Sequence, residues 1–269
     1  VTQVGVKAKM IRREVDSLAF YQFGALDLTD LMHAIFTRRG GVSPAPWASL
    51  NLSISCGDTW ERVAKNRELA FSAVDWAVES RFDVWQIHSA KVVVARKPRG
   101  RRPMRQADAI ITDTPGVALF MRYADCAPIL FLDPIRRAIG LAHAGWLGTL
   151  RQVAPRTVQG MRRAFGSAPS DLITCIGPSI GAHHYPVGPE VVARVRQLFG
   201  SRANQHLSFP DGQAHFDLGS ANEMLLGDLG VTQIERSDIC TACHLDDWYS
   251  HRGEGGKTGR FGAIFALRP

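Results

Sequence analysis

Residues 107–142 read ADAIITDTPGVALFMRYADCAPILFLDPIRRAIGLA. Four short apolar runs lie inside this stretch: Ala107–Thr112, Val117–Met121, Ile129–Leu132 and Ala138–Ala142. Turn residues separate them, Asp113-Thr114-Pro115-Gly116 after the first and Asp133-Pro134 before the last. Runs this short between turn signals are strands rather than helices. Their crowding predicts a substantial sheet with much antiparallel pairing. Upstream, Lys91–Ala95 is rich in β-branched residues and predicts a further strand. Thr59–Val74 carries apolar side chains at helical spacing, with Asp58 or Thr59 as its cap. His33–Thr37 predicts a short strand that runs into the turn Arg38-Arg39-Gly40-Gly41.

Downstream, Trp146–Phe165 predicts a helical stretch in which Pro155 must stand near a helix start or force a kink. Leu172–Ile176 predicts a buried strand. Pro189–Phe199 predicts a helix with Pro near its first position and Gly200 just past its end. Asp217–Leu229 predicts another helix, Val231–Glu235 a strand, and Phe261–Leu267 a strand inside the sheet. Strands and helices alternate without a regular βαβ beat, so the expected class is mixed α/β, or α+β, rather than a doubly wound sheet. With no repeat or long linker, residues 1–269 are expected to form a single domain, its first 30 or so residues peripheral.

The whole chain has 269 residues, 45% of them hydrophobic, 21% charged and 9% aromatic. This composition excludes disorder, collagen and coiled coil, and the length suffices for a large core. No apolar stretch approaches the roughly 20 residues of a membrane span. The first residues show no signal-peptide core, so a cytoplasmic protein without membrane association is expected. Five cysteines without a secretory context favour free thiols or metal ligands over disulfides.

The formal charge of +7 is unevenly spread. Residues 96–105, RKPRGRRPMR, carry six basic residues and no acid, which leaves 7 − 6 = +1 for the rest. Their Pro98, Gly100 and Pro103 make this a loop, either plain solvated surface or a tip that attracts anions. One basic loop on a near-neutral body does not argue for a nucleic-acid partner.

Three segments set a metal-capable side chain where an apolar run meets a loop. They are Gln86-Ile87-His88-Ser89, Asp125-Cys126-Ala127-Pro128 and Ala142-His143-Ala144-Gly145-Trp146. Two imidazoles and a thiolate make a three-ligand set of the kind that catalytic zinc uses, with one position left open. The competing reading is a pair of hydrogen-bonded structural histidines and a buried cysteine, since separations of 38 and 17 residues match no compact zinc motif.

Longer motifs add a resemblance. His33–Ser43 (HAIFTRRGGVS), Ala48–Leu52 (ASLNL), Gln86–Ser89, Ala107–Ala109, Ala124–Pro128 and His143–Trp146 resemble the laccase-domain family, long labelled multicopper polyphenol oxidase. Ile176–Gly181, Tyr249–Arg252 and Thr258–Arg260 continue the likeness to the end of the chain. The resemblance implies a layered α/β/β/α architecture and a zinc ion on His88, Cys126 and His143. It also implies phosphorolysis of adenosine, inosine and related nucleosides, with adenosine deamination as a side activity. A bacterial branch of the family is linked instead to editing of peptidoglycan precursors.

The residues weigh these implications unequally. Laccase-type chemistry needs several coppers on about ten histidines, many in His-x-His pairs. This chain has nine histidines and no His-x-His. Copper remains the alternative metal, because His₂Cys with an axial Met is a blue-copper set and Met121 stands near Cys126. The His-x-Glu…Pro-Cys-x-x-Cys signature of base deaminases is absent. Cys240-Thr-Ala-Cys243 lacks a matching second half and reads as structural, with a redox or second-metal role as the alternative. His183 and His184 read as loop histidines.

The remaining motifs suit a purine and phosphate pocket. Arg38 beside Gly40 and Gly41 could grip phosphate, and Asn51 could pair with ribose or base. Ser250, His251 and Arg252 are further substrate-binding candidates, against a reading as turn residues and solvated cations. Asp125 is the candidate general base or the partner that orients a ligand. The expected partners are a small nucleoside and phosphate, and the expected state a monomer or small homo-oligomer.

Overall fold

The computed structural model describes residues 10–269. Among the described residues, fourteen strands run in chain order: β1 (Ile11–Val15), β2 (Leu18–Gln22), β3 (Leu31–Phe36), β4 (Arg81–Asp83), β5 (Val92–Val94), β6 (Ala109–Thr112) and β7 (Ala118–Tyr123), then β8 (Ala127–Asp133), β9 (Ala138–Ala144), β10 (Ile173–Ile176), β11 (Leu207–Ser208), β12 (His215–Phe216), β13 (Gln233–Arg236) and β14 (Phe261–Leu267). Five α-helices accompany them: α1 (Trp60–Ser72), α2 (Trp146–Leu150), α3 (Val153–Phe165), α4 (Pro189–Phe199) and α5 (Leu218–Gly227).

The strands form two six-stranded mixed sheets, ordered β1-β2-β3-β14-β7-β4 and β13-β10-β8-β9-β6-β5, with β11–β12 as a small separate pair. Three of the four crowded runs, β6, β8 and β9, pair antiparallel in the second sheet. The fourth corrects the expectation of one sheet: β7 crosses to the first sheet and pairs with β14. Side-chain alternation explains how apolar runs can fill two layers. On β7, Leu119, Met121 and Tyr123 face the core between the sheets, while Ala118 and Phe120 face the layer of α1. On β9, Ile139 and Leu141 join that central core, while Ala138, Ala142 and Ala144 pack under α3. The result is the expected α/β/β/α layering, with α1 outside the first sheet and α3 and α5 outside the second.

Local chemistry sets the element ends. The Thr59 hydroxyl caps α1 by accepting from the Arg62 N–H, and Asp217 caps α5 by accepting from Ser220. The helical stretch after Trp146 is two helices, because Gln152 takes a left-handed backbone at φ 62° between them. Pro155 then falls in the first turn of α3, where its missing N–H costs nothing. The hairpin β1–β2 went unread in the sequence. Its outer strand, IRREV, is largely exposed at the sheet edge, yet Leu18, Phe20 and Phe23 beyond it are buried.

The register brings one end of each sheet to a common place. Ala127 lies opposite Ala144 and Ala109 opposite Ala142, so the start of β8, the end of β9 and the start of β6 coincide. In the first sheet Phe261 lies opposite Tyr123. The Tyr123 hydroxyl donates to the Ala142 carbonyl at 3.2 Å and ties the two sheets together at this end.

Candidate metal centre and cleft

Cys126 immediately precedes β8, His143 is the penultimate residue of β9, and His88 lies in the loop between β4 and β5. One ligand atom from each comes within 4.8 Å of the others, so the three side chains that sequence singled out do converge. His143 is buried, Cys126 half-buried and His88 exposed toward the cleft.

Asp108, one residue before β6, organises the group. Its Oδ1 accepts from His143 Nδ1 at 3.0 Å and from the His88 backbone N–H at 3.0 Å. Its Oδ2 accepts from the Ser89 N–H at 2.6 Å and the Ser89 hydroxyl at 2.7 Å. A carboxylate on Nδ1 fixes the tautomer and leaves Nε2 of His143 as the free donor atom. The same contacts hold His88 in a left-handed backbone at φ 55°, an uncommon state for a residue with a side chain. In the sequence Asp108 stands only as the middle of the Ala107–Ala109 motif; a lone carboxylate opening a buried strand is the signal of its role.

Electrostatics couple the thiol and the imidazole as a charged pair. Burial alone would raise the Cys126 thiol, but the His143 and His88 imidazoles outweigh it and hold the thiol below its ordinary range. Burial alone would lower His143, but the Cys126 thiolate and the Asp108 carboxylate raise it. Gly145 lets this happen: a Cβ there would lie 2.6 Å from Cys126 Sγ. The donors suit a soft or borderline divalent ion and leave room for a further ligand on the cleft side.

The group opens into a cleft of about 490 Å³. Five arginines line it, Arg67, Arg99, Arg122, Arg252 and Arg260, against two carboxylates, Asp83 and Asp125. Both acids are already engaged. Asp83 pairs with Arg99 and lies 3.7 Å from Arg122. Asp125, at φ 77°, accepts from the Thr241 and Ser250 hydroxyls at 2.7 and 2.6 Å and from the Arg252 N–H at 2.6 Å. Trp60 and Trp85 expose broad apolar faces to the same space.

The other candidates sort into those that line the cleft and those that build its walls. His251 and Arg252 line it, and so does Asp125. Asn51 does not: fully buried, it accepts from the Ser53 and Arg260 N–H groups and donates to the Ser53 carbonyl and Asp58. It thereby shapes the wall that carries Ser53, Ser55, Arg67 and Arg260. Ser250 is likewise buried and acts on Asp125. Arg38 faces away: its guanidinium donates to the Ala48 and Leu245 carbonyls, pairs with Glu254 at 2.9 Å and stacks on Tyr249. Met121 is fully buried in the central core and outside the cleft lining. In the basic loop Arg99 and Met104 reach the cleft, while Arg96 is paired with Asp113.

A double-sheet sandwich whose strand ends gather a His₂Cys group able to hold a metal beside an arginine-rich cleft defines the class of protein. The chain belongs to the family described as multi-copper polyphenol oxidoreductase laccase, whose model matches residues 32–268. It is 37% identical over 235 residues to a purine nucleoside phosphorylase of Deinococcus radiodurans, covering 87% of this chain and 88% of that one. It is 34% identical over 241 residues to purine nucleoside phosphorylase YlmD of Bacillus subtilis, covering 86% and 87%. The crystal structure of YlmD from Geobacillus stearothermophilus superposes with a TM-score of 0.91 at 31% identity, over 97% of this chain and all of that one.

Proposed function

We propose that this chain is a zinc-dependent purine nucleoside phosphorylase acting on adenosine, inosine and related nucleosides, with adenosine deamination as a side activity. The observation that carries the reading is the opening of the His88–Cys126–His143 group into a cleft with both arginines and flat aromatic faces. The names of the relatives point the same way.

Phosphorolysis joins a phosphate oxygen to C1′ of the ribose and breaks the bond to N9 of the purine, giving ribose 1-phosphate and free base. An anion must therefore be held beside the sugar. Arg67 and Arg260 are suited to this, because both are tied to Leu52, Arg67 through its guanidinium and Arg260 through its backbone. They share that wall with the Ser53 and Ser55 hydroxyls. Burial lowers Arg67 to about 9, which still leaves it charged at neutral pH. Trp60 and Trp85 offer stacking faces for the purine. Asp125 is a positioning residue here: its carboxylate, filled by three donors, fixes the backbone beside Cys126 and the turn of Arg252. Zinc on His88, Cys126 and His143 would supply a Lewis acid at the base of the cleft and lower the pKa of water there. Deamination, in which the oxygen of water bonds to C6 and the amino group leaves as ammonia to give inosine, would use the same bound purine.

The five cysteines are unpaired, which suits a reducing cytoplasm. No helix among the described residues is long and apolar enough to cross a membrane. We take the working state to be a monomer or small homo-oligomer with a nucleoside and phosphate as its partners. Chromatography of a nucleoside panel with and without phosphate tests the reading. Adenine and hypoxanthine should appear from adenosine and inosine only when phosphate is present. Phenol oxidation with bound copper, or muropeptide cleavage with nucleosides untouched, would replace it.

A further inference from the structure

The fold assembles a second donor group that the proposed chemistry does not use. Cys240 and Cys243 meet His183 and His184, and one ligand atom from each of the four lies within 4.8 Å of the others. This supplies the second half that Cys240-x-x-Cys243 lacks in the sequence, and it corrects the reading of His183 and His184 as plain loop histidines. The gathering follows from the backbone. Ser179 forms an isolated parallel bridge with Cys240, and the Thr241 N–H donates to the Ser179 carbonyl at 3.1 Å. The turn at residues 182–184 is thereby set against the Cys-x-x-Cys loop.

We propose that His183, His184, Cys240 and Cys243 form a second metal site, a structural one, that takes zinc. Distances support it. A tetrahedral zinc with two sulfur and two nitrogen ligands has ligand–ligand edges of about 3.4–3.8 Å, from bond lengths of about 2.3 and 2.0–2.1 Å. Here His183 Nε2 is 3.1 Å from Cys243 Sγ. His184 Nδ1 is 3.5 Å from Cys243 Sγ and 3.7 Å from Cys240 Sγ. Two thiolates and two imidazoles are a closed structural set, leaving no open position for chemistry. The surroundings are fitted to it. The Gly181 N–H points at Cys240 Sγ at 3.2 Å, the type of contact that stabilises a ligating thiolate. A Cβ on Gly181 would lie 2.6 Å from the His183 ring, so the turn tolerates no side chain there while the histidine faces the sulfurs.

Binding converts two thiols to thiolates and releases two protons to solvent, so the filled site is electrically neutral. Its consequence reaches the cleft. Thr241 lies within the Cys-x-x-Cys loop, and its hydroxyl donates to the Asp125 carboxylate next to Cys126. Ile180, on the other side of the cluster, donates its N–H to the Asp125 carbonyl at 2.9 Å. A metal here pins both supports of Asp125.

The test is elemental analysis of the full chain purified under reducing conditions, then dialysed against zinc and freed of excess. Wild type should retain two equivalents, and Cys240→Ser/Cys243→Ser and Cys126→Ser one each. Cobalt(II) should give the double-thiolate visible spectrum in Cys126→Ser and lose it in the Cys240→Ser/Cys243→Ser variant. His183→Ala, at an exposed position, covers the case in which the double variant does not fold. It should keep the wild-type circular dichroism while its second equivalent is lost to a chelator at least ~10-fold more readily. Wild-type zinc content in the folded double variant or a chelator response unchanged in His183→Ala would overturn the proposal. So would a Cys240–Cys243 disulfide in place of the second metal in freshly reduced protein.

Discussion

Asp108 accepts hydrogen bonds from two of the three metal-capable residues and from Ser89, so its charge sets both the geometry and the basicity of the group. Asp108→Asn keeps the size but removes the charge that holds His143 by Nδ1. Zinc affinity should fall ~10–100-fold by chelator competition; an unchanged affinity would remove Asp108 from the site. His33 shows the opposite use of burial. Its ring is enclosed and accepts from the Phe23 N–H at 2.8 Å, and burial lowers its pKa to about 4. The fold therefore refuses a proton that the unfolded chain accepts below about pH 6.5. The stabilisation is whole above that pH and is lost as pH falls toward 4, by roughly 2–3 kcal/mol at pH 4.5. Urea unfolding of wild type and His33→Gln at pH 7.5 and 4.5 checks it: the variant should lose that much less. Equal losses would refute the assignment.

At the scale of elements, the β8–β9 pair and the start of α2 carry the site. Cys126 stands before β8, His143 near the end of β9, and Gly145 caps α2 while touching the thiol. Gly145→Ala should therefore displace Cys126 and remove most of the bound metal while leaving the circular dichroism intact. Full metal content in that variant would show that the thiol has room to spare. Most elements were legible because burial on both faces gives β6–β9 and β14 unbroken apolar runs, and caps mark α1, α4 and α5. What was not legible has physical reasons. Strand β1 is a polar edge strand with no pattern to find, and the break between α2 and α3 rests on one left-handed residue, Gln152. The passage of β7 to the other sheet leaves no local trace, since both faces are apolar in either sheet.

For the whole molecule, the charge of +7 matters through placement. Most of the basic loop is exposed, but Arg99 turns into the cleft beside Arg122, joining arginines from elsewhere in the chain. His88, Cys126 and His143 were legible in the sequence because each stands at the edge of an apolar run, where strand meets loop. Arg67 and Arg260 were not, since a helix arginine and one before the last strand meet only through Leu52. Asn51 and Ser250 looked like ligand contacts because a buried polar knot and a binding residue share the same residue types. Arg260→Gln should raise the KM for phosphate roughly 10-fold or more, the worth of a charge-assisted hydrogen bond of about 1.5–3 kcal/mol. Arg101→Gln, on the exposed part of the loop, should leave it unchanged. Equal effects from the two would place the anion at the loop instead. The most direct measurement is adenine release from adenosine by zinc-loaded protein, followed against phosphate concentration in wild type and Cys126→Ala. Saturable, phosphate-dependent adenine and ribose 1-phosphate formation, abolished by the substitution, is the expected result. No turnover by the zinc-loaded wild type, or turnover that survives the loss of Cys126, would contradict the account.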